Sequence, residues 1–179
     1  GASRGLVLGR RAGRSPPVVL AGGSFVAKKG PLVTLRAFRL CLRRADVSPL
    51  PKLWMVGEGP LLAEARRFVV QHQLQNHVVF AGVCSQEQVA ERMRQVRAFV
   101  QHSIVAPDGD SEGSPVAVME AQLSGLPVLA TRHAGIPDVV VDGATGLLVE
   151  EGDVDAMAQA MLTLLAEPML AQKLGEAGQ

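Results

Sequence analysis

A three-layer α/β/α domain on a parallel sheet of about six strands is the fold this sequence predicts, and two observations carry the prediction. From Val18 onward, short apolar runs alternate with longer segments of helical period, the pattern of strands buried on both faces and joined by crossover helices. Glycines then recur where the strands should finish, at Gly22-Gly23, at Gly57 with Gly59, and at Gly82. In an open parallel sheet a ligand binds outside the carboxyl ends of the strands, and glycine there lets backbone amides approach it closely.

Residues 1–17 contain four arginines (Arg4, Arg10, Arg11 and Arg14), the brief apolar run Leu6-Val7-Leu8, and Pro16-Pro17. They read as a linker or remnant ahead of a single domain over residues 18–179. Strands are expected at Val18–Gly22, Lys52–Val56, His77–Ala81, Ala98–Gln101, Pro127–Ala130 and Leu147–Val149. Helices are expected at Pro31–Arg44, Leu61–Leu74, Gln86–Gln95, Pro115–Ser124 and Val154–Leu165, with a last short one after Pro168. In the first helix Leu32, Leu35, Phe38 and Leu42 form the inward stripe. That leaves Arg36, Arg39, Arg43 and Arg44 outside, either as a solvated face or as a contact for acidic lipid headgroups.

The 179 residues, 47% of them hydrophobic, suffice for one well-buried domain and fall short of two full-sized ones. A net charge of +1, 3% aromatic residues and no tyrosine provide neither a strong basic field nor a stacking platform, so nucleic acid is not an expected partner. Cys41 and Cys84 form no CxxC pair or histidine-containing ligand cluster, which points to a reducing, cytoplasmic setting. No stretch approaches the roughly 18 apolar residues of a membrane span, and the N-terminus lacks the apolar core of a signal peptide.

Glu112 and Glu120 bracket a segment that starts on an acidic loop and ends inside an apolar helix. Ser114 suits the N-cap and Pro115 the first helical position, so Glu112 should sit just outside the helix and Glu120 within it. Val116-Ala117-Val118-Met119 and Ala121 offer little polar surface, which predicts a helix packed on most of its circumference with Glu120 as a lone buried charge. Such a carboxylate would cost several kcal/mol to desolvate and needs hydrogen-bond donors, from a neighbour or a ligand. Sugar hydroxyls are suitable donors.

Lys28-Lys29-Gly30-Pro31 sets two cations before a helix N-terminus, which carries about half a positive charge and disfavours them by roughly 0.3–1 kcal/mol. They make best sense if an anion such as a diphosphate joins them; solvated loop lysines are the plain alternative. Asp108-Gly109-Asp110-Ser111-Glu112-Gly113 resembles the first half of a calcium loop, but Met119 stands where the bidentate glutamate is needed, so calcium is set aside. Gly57-Glu58-Gly59-Pro60 lacks the third glycine of a dinucleotide fingerprint, and no P-loop run occurs. Thr131-Arg132-His133 follows a strand and could line a sugar or phosphate pocket; His133 could equally be a structural loop residue.

Several blocks in order resemble glycosyltransferase family 4: Gly23 to Gly30, Val56-Gly57-Glu58-Gly59-Pro60, Val78 to Gly82, and Asp110 to Ala121. Ser124 to Val128, Gly135-Ile136-Pro137-Asp138 and Asp142 to Val149 extend the likeness, which covers about residues 18–167 and is nearest in flavour to the polysaccharide-building branch. The resemblance implies the Rossmann-like carboxyl-terminal, donor-binding half of a GT-B enzyme, with the acceptor-binding amino-terminal half as its missing partner and peripheral membrane contact through the parent enzyme. It implies a nucleoside-diphosphate sugar as substrate, retention of configuration, and no metal or other cofactor. Lys29 would bind the diphosphate, Glu112 the transferred sugar and Glu120 the ribose hydroxyls. Gly113 and Ser114 would offer amides near sugar and phosphate, and main-chain groups around Gly57, Gly82 and Val83 would cradle the base. Ser24 stands where the family usually has a second phosphate-binding cation, so Arg132 or another residue would have to compensate. A non-catalytic nucleotide-sugar binding module and a sugar-nucleotide epimerase of the same architecture are the alternatives.

Overall fold

In a computed structural model, residues 15–109 and 116–179 are described. Six strands form one fully parallel sheet: β1 (Val18–Ala21), β2 (Lys52–Val56), β3 (Val78–Gly82), β4 (Ala98–Gln101), β5 (Val128–Thr131) and β6 (Gly146–Val149). Their order is β3-β2-β1-β4-β5-β6. The connections run outward in one direction from β1 to β3 and in the other from β4 to β6. The carboxyl ends of β1 and β4 therefore flank the topological switch point, where a crevice opens.

The helices are α1 (Pro31–Arg44), α2 (Leu62–Gln71), α3 (Gln86–Met93), α4 (Val116–Leu123), α5 (Ile136–Val139), α6 (Val154–Ala166) and α7 (Pro168–Gly178). Side chains on a strand alternate between faces, and the two cores follow that period. Val19, Leu53, Val100 and Leu129 point to the side covered by α1, α2 and α6, among Leu35, Phe38 and Met161. Val18, Leu20, Phe99 and Val128 point to the other side, against Met93, Val118 and Ile136 from α3, α4 and α5. Each of these fully buried apolar side chains contributes on the order of 1.5–3 kcal/mol by leaving water. Continuous apolar strands are the sequence signature of this two-sided burial.

The helix starts have local causes. At α3 the Ser85 side chain accepts from the Gln88 N–H while the Gln88 side chain accepts from the Ser85 N–H, a reciprocal capping box. At α6 the Asp153 carboxylate accepts from the Ala156 N–H at 2.9 Å. Two short elements escape periodicity because they are a single turn: α5, and a 3-10 turn at Ala27–Lys29. The last helix spans 11 residues instead of the short piece expected, because Ala171 and Leu174 are buried and give it a packing face.

The helix α4 also departs from expectation. Val118, Ala121 and Gln122 are buried, whereas Val116, Met119 and Leu123 are 56%, 46% and 75% exposed. Its packing partners lie on one side, at β4, β5 and α7, so an apolar sequence leaves half the helix facing outward.

Lys28 and Lys29 belong to the 3-10 turn and not to an open loop. Gly30 ends that turn with φ 56° and opens α1, and a Cβ built there would fall 2.0 Å from the His102 carbonyl oxygen. Both the left-handed backbone and the contact require glycine. Gly30→Ala is expected to destabilise the domain by about 3 kcal/mol or more, read from the midpoint of denaturant unfolding.

Candidate active site

The loops that follow β1, β2 and β3 meet at the carboxyl edge, backbone against backbone. The Gly57 N–H donates to the Gly82 carbonyl at 2.8 Å, and the Phe25 N–H donates to the Glu58 carbonyl at 2.9 Å. A Cβ at Gly57 would sit 2.5 Å from the Gly23 carbonyl oxygen, and Gly57 has φ +113°. The glycines read from the sequence as sheet-edge positions are thus gathered into one surface.

Lys29 is drawn into the same surface. Its aliphatic stem crosses Gly23, whose Cβ position lies 3.1 Å from the Lys29 Cδ. The Ile104 N–H donates to the Lys28 carbonyl at 3.0 Å, which ties the 3-10 turn to the segment after β4. A crevice beneath it is lined by Gly22, Gly23, Ser24, Lys29, Thr34 and Gln101. Ser24 is exposed at its rim, and Val83, beside Gly82 on the neighbouring loop, is 71% exposed. One cation, one hydroxyl and a set of approachable main-chain groups therefore converge at the switch point, an arrangement suited to an anion joined to hydroxylated groups.

Glu120 sits in the second turn of α4 and is half-buried, which corrects the expectation of a buried charge. The one-sided packing of α4 is the reason. Among the described residues its carboxylate makes no hydrogen bond or ion pair. Glu112, Gly113, the expected N-cap Ser114 and the expected first helical residue Pro115 lie outside the described residues. Arg132 is committed elsewhere: it bonds Asp142 at 2.8 Å and approaches Glu150 at 3.2 Å, so it is not a spare cation to stand in beside Ser24.

A second polar group, at the ends of β4 and β5, was invisible in the sequence. Glu151, after β6, accepts from the Val105 N–H at 3.0 Å and meets His133 Nδ1 at 2.7 Å. The Gly152 N–H donates to His102 Nε2 at 2.8 Å, and the Thr131 hydroxyl donates to the Ser103 carbonyl at 2.7 Å. The turn after β6 thereby grips both the segment leaving β4 and the loop leaving β5. His133 has the structural role, with a partner 18 residues away, and His102 has its own 50 residues away. Nothing local in the sequence signals either.

The family model for group 1 glycosyl transferases matches residues 10–179. The chain belongs to that family.

Among curated relatives, the amylovoran biosynthesis glycosyltransferase AmsK of Erwinia amylovora is 32% identical over 87% of this chain and 37% of its own length. The GDP-mannose-dependent alpha-(1-6)-phosphatidylinositol monomannoside mannosyltransferase of Mycolicibacterium smegmatis is 34% identical over 91% of this chain and 42% of its own length. The chain thus spans about two fifths of these relatives. Among solved structures, Anabaena Alr3699/HepE in complex with UDP and glucose superposes with a TM-score of 0.79 at 21% identity, covering 100% of this chain and 47% of that one. At that identity the likeness establishes the fold, a Rossmann-like half of the GT-B type.

The electrostatics around His102 give a test of this site's construction. Burial lowers its pKa to about 4, against a smaller opposing pull from Glu151 and Asp153. The ring is neutral in the fold, with Nε2 accepting from Gly152. Because the unfolded chain binds a proton below about pH 6.5 and the folded one does not, stability falls as pH drops from about 6.5 towards 4. The loss should reach a few kcal/mol by order of magnitude. Melting curves of wild type and His102→Gln across this range should converge towards acid pH as the wild type loses that contribution.

Proposed function

We propose that this chain is the donor-binding half of a retaining glycosyltransferase that transfers a sugar from a nucleoside-diphosphate sugar to a glycan or lipid-linked acceptor in polysaccharide biosynthesis. The observation that carries the reading is the convergence of Lys29, Ser24 and the Gly23, Gly57 and Gly82 backbones at the switch point of the sheet. Lys29 takes the donor diphosphate, and Glu120 takes the ribose hydroxyls from its half-buried position on α4. Glu112 contacts the transferred sugar, with the Gly113 and Ser114 amides beside it, and the main chain near Gly57, Gly82 and Val83 holds the base. Relatives named for GDP-mannose dependence and a fold neighbour solved with UDP and glucose support a nucleotide sugar as the ligand class.

Transfer builds negative charge on the departing diphosphate, and a fixed ammonium with oriented amides stabilises that charge more in the transition state than before it. Ser24 contributes a hydrogen bond without charge, so Lys29 carries more of this stabilisation than a paired cation would. No metal enters the reading. Acceptor recognition belongs to the other half of the parent enzyme, working at the cytoplasmic side of a membrane.

Calorimetric titration of this chain with UDP, GDP and ADP should show binding of at least one nucleoside diphosphate. Lys29→Ala and Glu120→Ala should each weaken it by about 1.5–3 kcal/mol, the range for hydrogen bonds to charged groups. No binding of any of the three, or unchanged affinity in both variants, would remove the site. Reconstituted with its acceptor half, Ser24→Arg should raise the transfer rate if charge at that position limits departure of the diphosphate. An inactive Ser24 enzyme that Ser24→Arg switches on would instead favour the binding-module reading.

A further inference from the structure

Arg36, Arg39 and Arg43 share the outward face of α1, at spacings of three and four residues. They open onto a groove of about 370 Å³ whose opposite wall is Phe68 of α2 and His72 at its C-terminal cap. Leu40 and Val154 complete it, and no carboxylate among the described residues lines it. Among the described residues none of the three guanidinium groups enters an ion pair, whereas the next arginine, Arg44, is tied to Asp155 at 2.6 Å. The two rings of the opposite wall lean on each other with centroids 4.3 Å apart, so that wall is preformed.

Three neighbouring cations on one helix face repel each other, and no carboxylate among the described residues pairs with them. The whole chain carries a net charge of only +1, so the cluster is a local feature and not a sample of a generally basic surface. A bare anion would satisfy the arginines and leave Leu40, Phe68 and Val154 wet. A phosphate attached to hydrocarbon matches both halves of the groove.

We propose that this groove is a binding site for the headgroup of an anionic phospholipid, the phosphate seated among Arg36, Arg39 and Arg43 and the adjoining hydrocarbon against Phe68, Leu40 and Val154. The site is separate from the switch-point crevice: the two share no lining residue, and Arg43 lies about 18 Å along the α1 axis from Pro31, which borders the crevice, at 1.5 Å per residue. It places the α1–α2 face of the domain against a membrane surface. It does not rest on the donor-site reading, and either can fail without the other.

Co-sedimentation of the chain with phosphatidylcholine vesicles, with and without phosphatidylglycerol, tests it. Binding is expected only to the phosphatidylglycerol-containing vesicles and should decline as salt is raised. The double variant Arg36→Ser/Arg43→Ser alters two exposed side chains, so its melting curve should match wild type, and its vesicle affinity should fall by about 30-fold. Arg94→Ser/Lys173→Ser removes the same charge from exposed positions elsewhere and should bind as wild type does. Three outcomes overturn the proposal: no binding of wild type to phosphatidylglycerol vesicles, equal losses in the two double variants, or saturation of the groove arginines by inorganic phosphate without vesicle binding. The last would make the groove a soluble-anion site.

Discussion

The close approach of one loop backbone to another at the carboxyl edge is the constraint on which the site depends. Gly57 meets the Gly23 carbonyl, Gly59 meets the Phe25 carbonyl, and Gly30 meets the His102 carbonyl, each at a distance that excludes a Cβ. These contacts fix the loops after β1, β2 and β4 relative to each other before any ligand is present. Side chains then inherit their positions: the Lys29 stem crosses close over Gly23, where a Cβ would meet its Cδ at 3.1 Å. A preorganised cation is worth more to a reacting anion than a mobile one, since no reorganisation accompanies charge development.

The turn after β6 provides a second level of support on the opposite side of the switch point. Glu151 and Gly152 hold Val105, His133 and His102, so the segment leading from β4 towards the acidic loop is anchored at its start. Among the described residues, Gln101 Oε1, His102 Nδ1 and His133 Nε2 are buried without a partner, a cost accepted inside a cluster whose other contacts are made. Such groups specify one arrangement of the edge, because any alternative leaves still more polar atoms unpaired.

Electrostatics divide the chain into two chemically distinct faces. The switch-point crevice concentrates a single lysine with amides and a hydroxyl, chemistry fitted to one small anion. The outer face of α1 spreads three guanidinium groups, without an ion pair among the described residues, beside an apolar wall, chemistry fitted to an extended anionic surface. One helix serves both ends, since its N-terminus at Pro31 abuts the crevice and its arginines face away from the sheet.

Much of the architecture was legible in the sequence, because strands buried on both sides must be continuously apolar and their connecting helices must be amphipathic. All six strands and the helices from Pro31 to Val154 lie within a few residues of their expected positions, and the glycine-marked edge proved to be a single surface. What the sequence could not decide were relations between distant residues. The exposure of Val116, Met119 and Leu123 depends on which elements happen to stand beside α4, so an apolar helix looked buried and Glu120 with it. The bonds from Glu151 to His133 and from Gly152 to His102, and the commitment of Arg132 to Asp142, join segments whose proximity only the strand order creates. Composition and period determine which residues must leave water; the tertiary structure alone decides which polar groups then find one another, because pairing depends on distance in space and the sequence encodes only distance along the chain.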